Sequence, residues 1–247
     1  MARMTRHKLA FRNLTLGYDR HPVVHHLEGV VEAGSLLAVI GPNGGGKSTL
    51  LKAIAGQIEP LGGTIDNSFA SLAYMPQIGD LSRDFPVSVF DLALTGLCSQ
   101  RGMFGRISRS ERQRAEEAIG KVGLSGFEDR SIRTLSGGQL QRLLFARMML
   151  QDAELILLDE PFAAIDQRTI SDLLTIILNW HGEGRTILTV LHDFELVRRN
   201  FPLSLLVARE MIAWGPTPEV LTTDNLALAR HMSEAFDQDA AFCERAA

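Results

Sequence analysis

The segment at residues 41–50 constrains the fold of this chain more than any other. It reads GPNGGGKSTL and fits the pattern G-x-x-x-x-G-K-[ST]. An apolar run, LLAVI, precedes it and a helical pattern follows, which is the order of strand, glycine loop and helix that a phosphate-binding loop needs. A merely flexible glycine turn is the alternative, and the flanking strand and helix argue against it. We therefore expect a nucleotide site on an α/β core.

The residue types in this loop suit a chain of phosphates. Glycines let the backbone wrap the phosphates, Lys47 can reach the β and γ phosphates as a compact cation, and Ser48 can coordinate Mg²⁺. The predicted contacts are Gly41, Pro42, Asn43, Gly44, Gly45, Gly46, Lys47, Ser48 and Thr49.

Two other apolar runs end in polar residues that fit the same chemistry. In LILLDEP, Asp159 can hold Mg²⁺ through water and Glu160 can polarise an attacking water. An ordinary strand terminus is the alternative there. In TVLHDFEL, His192 follows a strand at the sheet edge where nucleotides bind in open α/β folds. Alone it would be a structural histidine, but beside the glycine loop we assign it to the γ-phosphate.

Composition limits the class of protein. At 247 residues and 45% hydrophobic content the chain fits one large domain with a buried core. Its formal charge of −4 argues against binding of nucleic acid along the whole chain and leaves a local basic patch as the alternative, so no nucleic acid partner is expected. Cys98 and Cys243 fit no metal-ligand spacing and read as unpaired thiols in a reducing compartment. Because no secretory signal and no apolar run of about 18 residues occur, we expect a cytoplasmic protein.

Hydrophobic periodicity predicts alternating strands and helices, which indicates an α/β architecture. No strand is predicted from residue 87 to about 150, where three segments follow helical spacing, so we expect a helical insertion. A turn is predicted at PLGGT, residues 60–64. The predicted strands are 9–16, 23–31, 36–40, 71–75, one in ELILLDEP, 186–191 and two later ones, and the predicted helices are 47–57, 167–180, 194–200 and the tail after 222.

The stretch TLSGGQLQR, residues 134–142, raises a separate question. Its serine and paired glycines would leave bare N–H groups at the start of a helix, which is a second potential anion site. The alternative is an ordinary helix N-cap with a flexible lead.

In their order along the chain, these motifs closely resemble those of the ATP-binding cassette (ABC) ATPases of membrane transporters. They are Tyr18, GPNGGGKST, MPQ, LSGGQLQR, LILLDEP, AAID and LHD, and they span about residues 8–216. The resemblance implies a P-loop NTPase (RecA-like) α/β core with an antiparallel β subdomain and an inserted α-helical subdomain. It implies one domain over 1–247, divided into a core at 1–86 and 151–222, a helical subdomain at 87–150 and a tail at 223–247.

The resemblance also implies why one chain carries two anion sites. In this family two subunits face head to tail, and one subunit's signature binds the γ-phosphate of ATP held by the other. Ser136, Gly137, Gly138 and Gln139 would then act across a homodimer. Tyr18 would stack on adenine, although an aromatic residue there can also pack in a core. Asp166 would cross the interface, although it can also be a helix N-cap.

By the same resemblance, Glu160, His192 and Gln77 are the predicted catalytic residues. Gln77 would touch Mg²⁺ and the attacking water, so that Ser48, Gln77 and Asp159 form the predicted Mg²⁺ set. The sequence departs from many members at Ala164, where serine is common, and at Leu191, where threonine or serine is frequent. Neither position supplies essential chemistry, so ATP hydrolysis is still expected.

The cargo is inferred from a narrower resemblance. DFPVSVFDLALTGL, RGMFGRISRSERQRAEEAIGKVGL and DEPFAAID look like segments of bacterial zinc and manganese importer cassettes. This implies a membrane permease, an extracytoplasmic metal-binding protein acting indirectly, and a location at the cytoplasmic face of the membrane. The alternatives are an importer of an iron chelate or haem, a soluble ABC ATPase acting on nucleic acid or ribosomes, and an exporter.

The histidines in HPVVHH invite interpretation as a zinc site. His25 and His26 are adjacent, so they should point to opposite faces of a strand and not converge. We therefore assign no metal ligand to His21, His25 or His26.

Overall fold

The fold is described from a computed structural model. It describes residues 8–19, 21–80, 84, 86–98 and 107–234. Parts of the segments that suggest the cargo, Phe85 and residues 101–106, lie outside the described residues, as do Cys243 and the tail beyond 234.

Nine described strands form one twisted sheet in the order β4-β1-β2-β9-β8-β3-β7-β6-β5. β5, β6, β7, β3 and β8 run parallel, whereas β4, β1 and β2 pair antiparallel at the opposite end. The strands are β1 Lys8–Tyr18, β2 His21–Glu32, β3 Leu36–Ile40, β4 Gly62–Asn67, β5 Leu72–Met75, β6 Leu155–Asp159, β7 Thr186–Val190, β8 Leu203–Ala208 and β9 Glu210–Pro216.

Eight α-helices are described. Between β5 and β6, α2 to α4 form a separate helical group, and the others pack against the sheet. The helices are α1 Lys47–Ile54, α2 Val89–Leu94, α3 Arg109–Lys121, α4 Gly137–Gln151, α5 Gln167–Gly182, α6 Phe194–Asn200, α7 Thr217–Val220 and α8 Thr223–Glu234.

Each of the three described α-helices of the inserted group begins at a serine with a capping box. Ser88, Ser108 and Ser136 accept the backbone N–H three residues on, and the side chain at that position accepts the serine's own N–H. Such a box satisfies two of the otherwise unpaired donors at a helix start. The serines therefore fix where these helices begin.

The parallel strands are buried on both faces because a separate apolar core packs on each side of the sheet, and successive side chains enter the two cores alternately. In β3, Leu37 and Val39 join a core shared with α1 and the antiparallel strands. Leu36, Ala38 and Ile40 join the other core, which contains the inserted helices and α5. Together with the antiparallel β subdomain, this confirms the predicted fold class, while the residue bounds of the subdomains stay a prediction.

The predicted turn at residues 60–64 is wrong from Gly62 onward, because Gly62 opens β4. Gly63 has a φ of 73°, and a Cβ there would lie 2.2 Å from the carbonyl oxygen of Asn13. Strand β4 therefore approaches β1 too closely for any other residue. Gly63 therefore marks close backbone packing between β4 and β1 and not only a turn.

The predicted alternation of His25 and His26 is also not kept. His26 has a φ of 48°, and the two ring centroids lie 6.3 Å apart. His26 Nδ1 is 2.7 Å from Asn13 Oδ1. Across the residues that the structure describes, no group of three or more His, Cys, Asp or Glu side chains could hold a metal ion.

Within the described residues, none of the helices has both the length and the apolar character needed to traverse a bilayer.

The stack of Phe145 on Trp180 joins the inserted helices to the core. Both side chains are buried, with ring centroids 5.7 Å apart and ring planes 5° from parallel. We expect Phe145→Ala to lower the free energy of unfolding by about 3–5 kcal/mol, because it removes a fully buried ring. Denaturant unfolding measures this. Phe145→Leu, which keeps most of the volume, should cost less than half as much, and an alanine variant within 1 kcal/mol of the parent would contradict this packing role.

Candidate nucleotide site

The register of the parallel strands brings four polar loops to one edge of the sheet. Asp159 pairs with Val190, and Val190 pairs with Val39 on its other side. Strands β3, β6 and β7 therefore end nearly level. The glycine loop, Glu160 and His192 follow these three ends, and Gln77 comes two residues after β5.

The glycine loop has a backbone path that other residues could not follow. Gly41 has a φ of 148°, and a Cβ there would lie 1.9 Å from the carbonyl oxygen of Val207. Gly46, the residue before α1, has a φ of 93°. The loop is thus locked against β8 and leads into the start of α1, where free N–H groups and the helix dipole favour an anion.

Lys47 lies inside this loop. Its ammonium group donates to the carbonyl oxygens of Gly41 at 3.0 Å and Pro42 at 2.7 Å. Burial lowers the pKa of Lys47, while Glu160 and Asp159 act in the opposite direction. The cation is therefore held by carbonyl dipoles within the loop, where phosphate oxygens could take over its hydrogen bonds.

Ser48 and Asp159 form the second part of the site. Ser48 Oγ donates to Asp159 Oδ1 at 3.0 Å, and the Tyr74 hydroxyl donates to Asp159 Oδ2 at 3.5 Å. Burial raises the pKa of Asp159, and the bond from Ser48 partly offsets this. Burial beside Asp159 also raises the pKa of Tyr74, which stays a neutral donor. A hydroxyl and a carboxylate are hard oxygen ligands of the kind that Mg²⁺ prefers, so the residues fit this ion.

Glu160 is held from both sides. Gln77 Nε2 donates to Glu160 Oε2 at 2.8 Å, and His192 Nε2 lies 2.7 Å from Glu160 Oε1. Glu160 also has a φ of 50°, which is unusual for a residue with a side chain and is typical of strained functional positions. The three predicted catalytic residues therefore form one hydrogen-bonded group.

A cavity of about 770 Å³ between α3, α4 and α5 is slightly larger than the cavity of about 710 Å³ at this edge. We place the nucleotide in the second because the glycine loop opens into it. Its described lining is Val23, Asn43, Gly44, Gly46, Lys47, Ser48, Thr49, Gln77, Glu160 and His192. Val23, in β2, is the one lining residue that the sequence did not predict, because an apolar residue in a strand gives no sign that it borders a nucleotide.

The second glycine segment lies elsewhere. Ser136 is exposed and caps α4: its Oγ accepts from the Gln139 N–H at 3.2 Å, and its N–H donates to Gln139 Oε1 at 2.9 Å. Gly137 and Gly138 are the first two helical residues, whose N–H groups have no partner within a helix. As far as the described lining extends, none of these residues borders the cavity at the glycine loop.

Tyr18 and Asp166 are both exposed. Tyr18 ends β1 with 48% of its surface accessible, so it is not the core residue that its position also allowed. Asp166 is the N-cap of α5, accepting from the Thr169 N–H at 2.9 Å and the Thr169 hydroxyl at 2.8 Å. These bonds lower the pKa of Asp166. Capping accounts for Asp166 within one chain and leaves its predicted interface role as a prediction.

The parallel sheet, the glycine loop and the paired carboxylates define a P-loop protein that binds and hydrolyses a nucleoside triphosphate. Comparison with known proteins names the class further. The sequence profile described as ABC transporter matches residues 24–163. The chain belongs to the ABC transporter family, and it is an ATP-binding ATPase of that family.

Relatives and a solved structure agree with this assignment. The zinc transport system ATP-binding protein TroB of Treponema pallidum is 39% identical, covering 86% of this chain and 82% of the relative. The manganese transport system ATP-binding protein MntB of Bacillus subtilis is 36% identical, covering 87% of this chain and 88% of the relative. A metal-chelate type ABC transporter solved in an inward-facing conformation has a TM-score of 0.81 at 30% identity, and the match covers 91% of this chain and 89% of the solved chain.

The buried carboxylate of Asp159 should destabilise the free protein at neutral pH. Because burial raises its pKa above the unfolded value of about 3.9, the folded chain holds the proton of Asp159 more tightly than the unfolded chain does. The stability that this proton contributes is fully present below the unfolded pKa and is lost as the pH rises through the folded pKa. Without nucleotide or Mg²⁺, Asp159→Asn should therefore have a higher Tm than the parent at pH 7. The difference should shrink toward pH 4.

Calorimetry across this pH range measures the effect. Asp129→Asn, at an exposed position, is the matched control and should leave Tm unchanged. A parent at least as stable as Asp159→Asn at pH 7 would show that burial does not penalise this charge. Adding MgATP should stabilise the parent more than the variant, since binding to the folded state raises Tm.

Proposed function

We propose that this chain is the ATP-hydrolysing subunit of an importer that takes up zinc or manganese through a separate membrane permease. The relatives named for zinc and manganese transport support the cargo. The subunit would lie at the cytoplasmic face of the membrane, held by the permease, with an extracytoplasmic metal-binding protein delivering the ion. A metal chelate is the second candidate cargo, favoured by the solved metal-chelate type transporter at 30% identity.

The observation that carries the proposal is the separation of the two anion sites. The start of α4 is exposed and does not line the cavity beside Lys47, as far as the described lining extends. Two copies arranged head to tail would place the partner's Ser136 against the phosphates held by this chain's glycine loop. Gly137, Gly138 and Gln139 would follow it, Asp166 would lie at the interface, and Tyr18 would stack on adenine.

Hydrolysis would proceed by in-line attack of water on the γ-phosphorus, so that a new P–O bond forms while the bond to the β,γ-bridging oxygen breaks and ADP leaves. Glu160 would orient the water and accept its proton, because its carboxylate is fixed by Gln77 and His192. Lys47 and the N–H groups of the glycine loop would stabilise the charge that develops on the phosphate oxygens. In the closed dimer, Gln77 and His192 would also contact the water and the γ-phosphate.

Mg²⁺ would be held by Ser48 and Asp159, with Gln77 nearby, and when bound it neutralises phosphate charge. The pairing of Ser48 with Asp159 supports this set, since both side chains reach one point beside the loop. Among the three, Gln77 also contacts Glu160 and so connects the ion site to the catalytic carboxylate.

We predict that Glu160→Gln binds ATP but accumulates as a dimer. The amide keeps the shape of Glu160 and can accept from His192, but it cannot take a proton, so hydrolysis should fall by roughly 10²- to 10⁴-fold. Size-exclusion chromatography with MgATP measures the dimer, and equilibrium binding of ATP is measured in parallel.

Two controls define this test. Glu116→Gln changes an exposed carboxylate on α3 and should behave like the parent. Adding Lys47→Ala to Glu160→Gln should abolish the dimer, because it removes the cation beside the phosphates. If Glu160→Gln stays monomeric while saturated with ATP, the shared site is wrong.

Cells lacking this chain should lose energy-dependent accumulation of zinc or manganese. The parent gene should restore it, whereas Ser136→Arg should not, although the purified variant should bind ATP nearly as well as the parent. Uptake of each radioactive metal ion, and of an iron chelate, is the measurement. If zinc and manganese uptake is unchanged and chelate uptake is lost, the cargo is the metal chelate and not a zinc or manganese ion. Lost ATP binding by Ser136→Arg would place the signature within its own chain's site.

A further inference from the structure

The loop at residues 160–166 connects the catalytic carboxylate to the N-cap of α5. It begins at Glu160 and ends at Asp166, and it contains two non-glycine residues with positive φ, Glu160 at 50° and Ala164 at 56°. Such backbone conformations persist only where surrounding contacts enforce them. Two consecutive residues of α4 reach its two ends: Gln141 contacts the loop directly, and Arg142 reaches its last residue through Thr169.

Gln141 holds the beginning of the loop. Its side chain is 1% exposed, and Nε2 donates to the carbonyl oxygen of Pro161 at 2.7 Å, directly after Glu160. The same nitrogen lies 3.9 Å from the sulfur of Met75, two residues before Gln77. Gln141 Oε1 is buried with no hydrogen-bond partner within the described structure. A buried amide with an unmatched oxygen is a poor choice for stability alone.

Arg142 holds the end of the loop. Its guanidinium donates to the Val122 carbonyl at 3.1 Å, the Thr169 hydroxyl at 3.2 Å and Asp172 at 2.8 Å. The Thr169 hydroxyl donates in turn to Asp166 at 2.8 Å. The chain of bonds therefore runs from α4, through the first turn of α5, to the last residue of the loop.

We propose that Gln141 and Arg142 are positioning residues that clamp both ends of the 160–166 loop to the helix that begins at Ser136. The clamp rests on the proposed function. It makes α4 and the loop move as one body, so the placement of Ser136 at the partner's phosphates is tied to the placement of Glu160 in its own site. Hydrolysis then needs both ends of the clamp.

The test is the ATPase rate of the purified chain at a concentration that favours pairing. Gln141→Met and Arg142→Met should each lower kcat about tenfold, the effect typical of losing a charge-assisted or buried hydrogen bond. KM for ATP should stay unchanged because the glycine loop is intact. Thr169→Val removes the hydroxyl that accepts from Arg142 and donates to Asp166, and it should reproduce the loss seen for Arg142→Met.

The double variant distinguishes a clamp from two separate roles. If both residues act through one loop, Gln141→Met with Arg142→Met should lose about tenfold in kcat, as each single does. A loss of about a hundredfold would mean independent effects and would overturn the clamp. Unchanged kcat in either single variant would also overturn it.

Arg147→Met is the matched control on the same helix. Arg147 is partly buried and donates to the Thr95 hydroxyl at 3.0 Å, within the inserted helices and away from the loop. It should lower Tm and leave kcat per folded chain unchanged. A similar kcat loss in Arg147→Met would overturn the clamp, because it would show that any substitution that disturbs the packing of α4 lowers kcat. An inactive parent would instead refute the proposed function, whereas an active parent with unchanged kcat in the single variants would refute only the clamp.

Discussion

Three parallel strands, β3, β6 and β7, end level with one another, and this alignment positions the polar residues of the candidate site. Because β3, β6 and β7 pair in register, the residues that follow them meet at one edge. A shift by one residue would turn Asp159 and the apolar residues of β6 to the wrong faces. The two apolar cores, which take alternate residues of the same strands, prevent that shift.

The charges at this edge are arranged for a ligand with both negative oxygens and a divalent cation. Burial disfavours the charged forms of both Lys47 and Asp159. Phosphate oxygens would compensate the first and Mg²⁺ the second. The charges of Lys47 and Asp159 are therefore poorly solvated in the free protein, and they match the charges of MgATP. The site is preorganised because these groups are in place before the ligand binds.

Much of this site could be predicted from sequence, since motifs at the carboxyl ends of parallel strands meet by topology. The sequence analysis predicted three catalytic residues, Glu160, His192 and Gln77. In the structure Gln77 and His192 each form a hydrogen bond with Glu160. Strand β4 was missed because Gly62 and Gly63 look like a turn. The contacts of Gln141 and Arg142 could not be predicted, because they depend on how α4 crosses the sheet and α5. The positive φ of His26 likewise depends on the neighbouring strand, where Asn13 contacts its ring.

On the proposed function, one chain does not contain a complete catalytic site. The decisive measurement is the ATPase rate per chain over a dilution series, with the oligomeric state followed by analytical ultracentrifugation. We expect the rate per chain to fall with dilution in proportion to the fraction of paired chains. A constant rate at dilutions where only monomers sediment would contradict it.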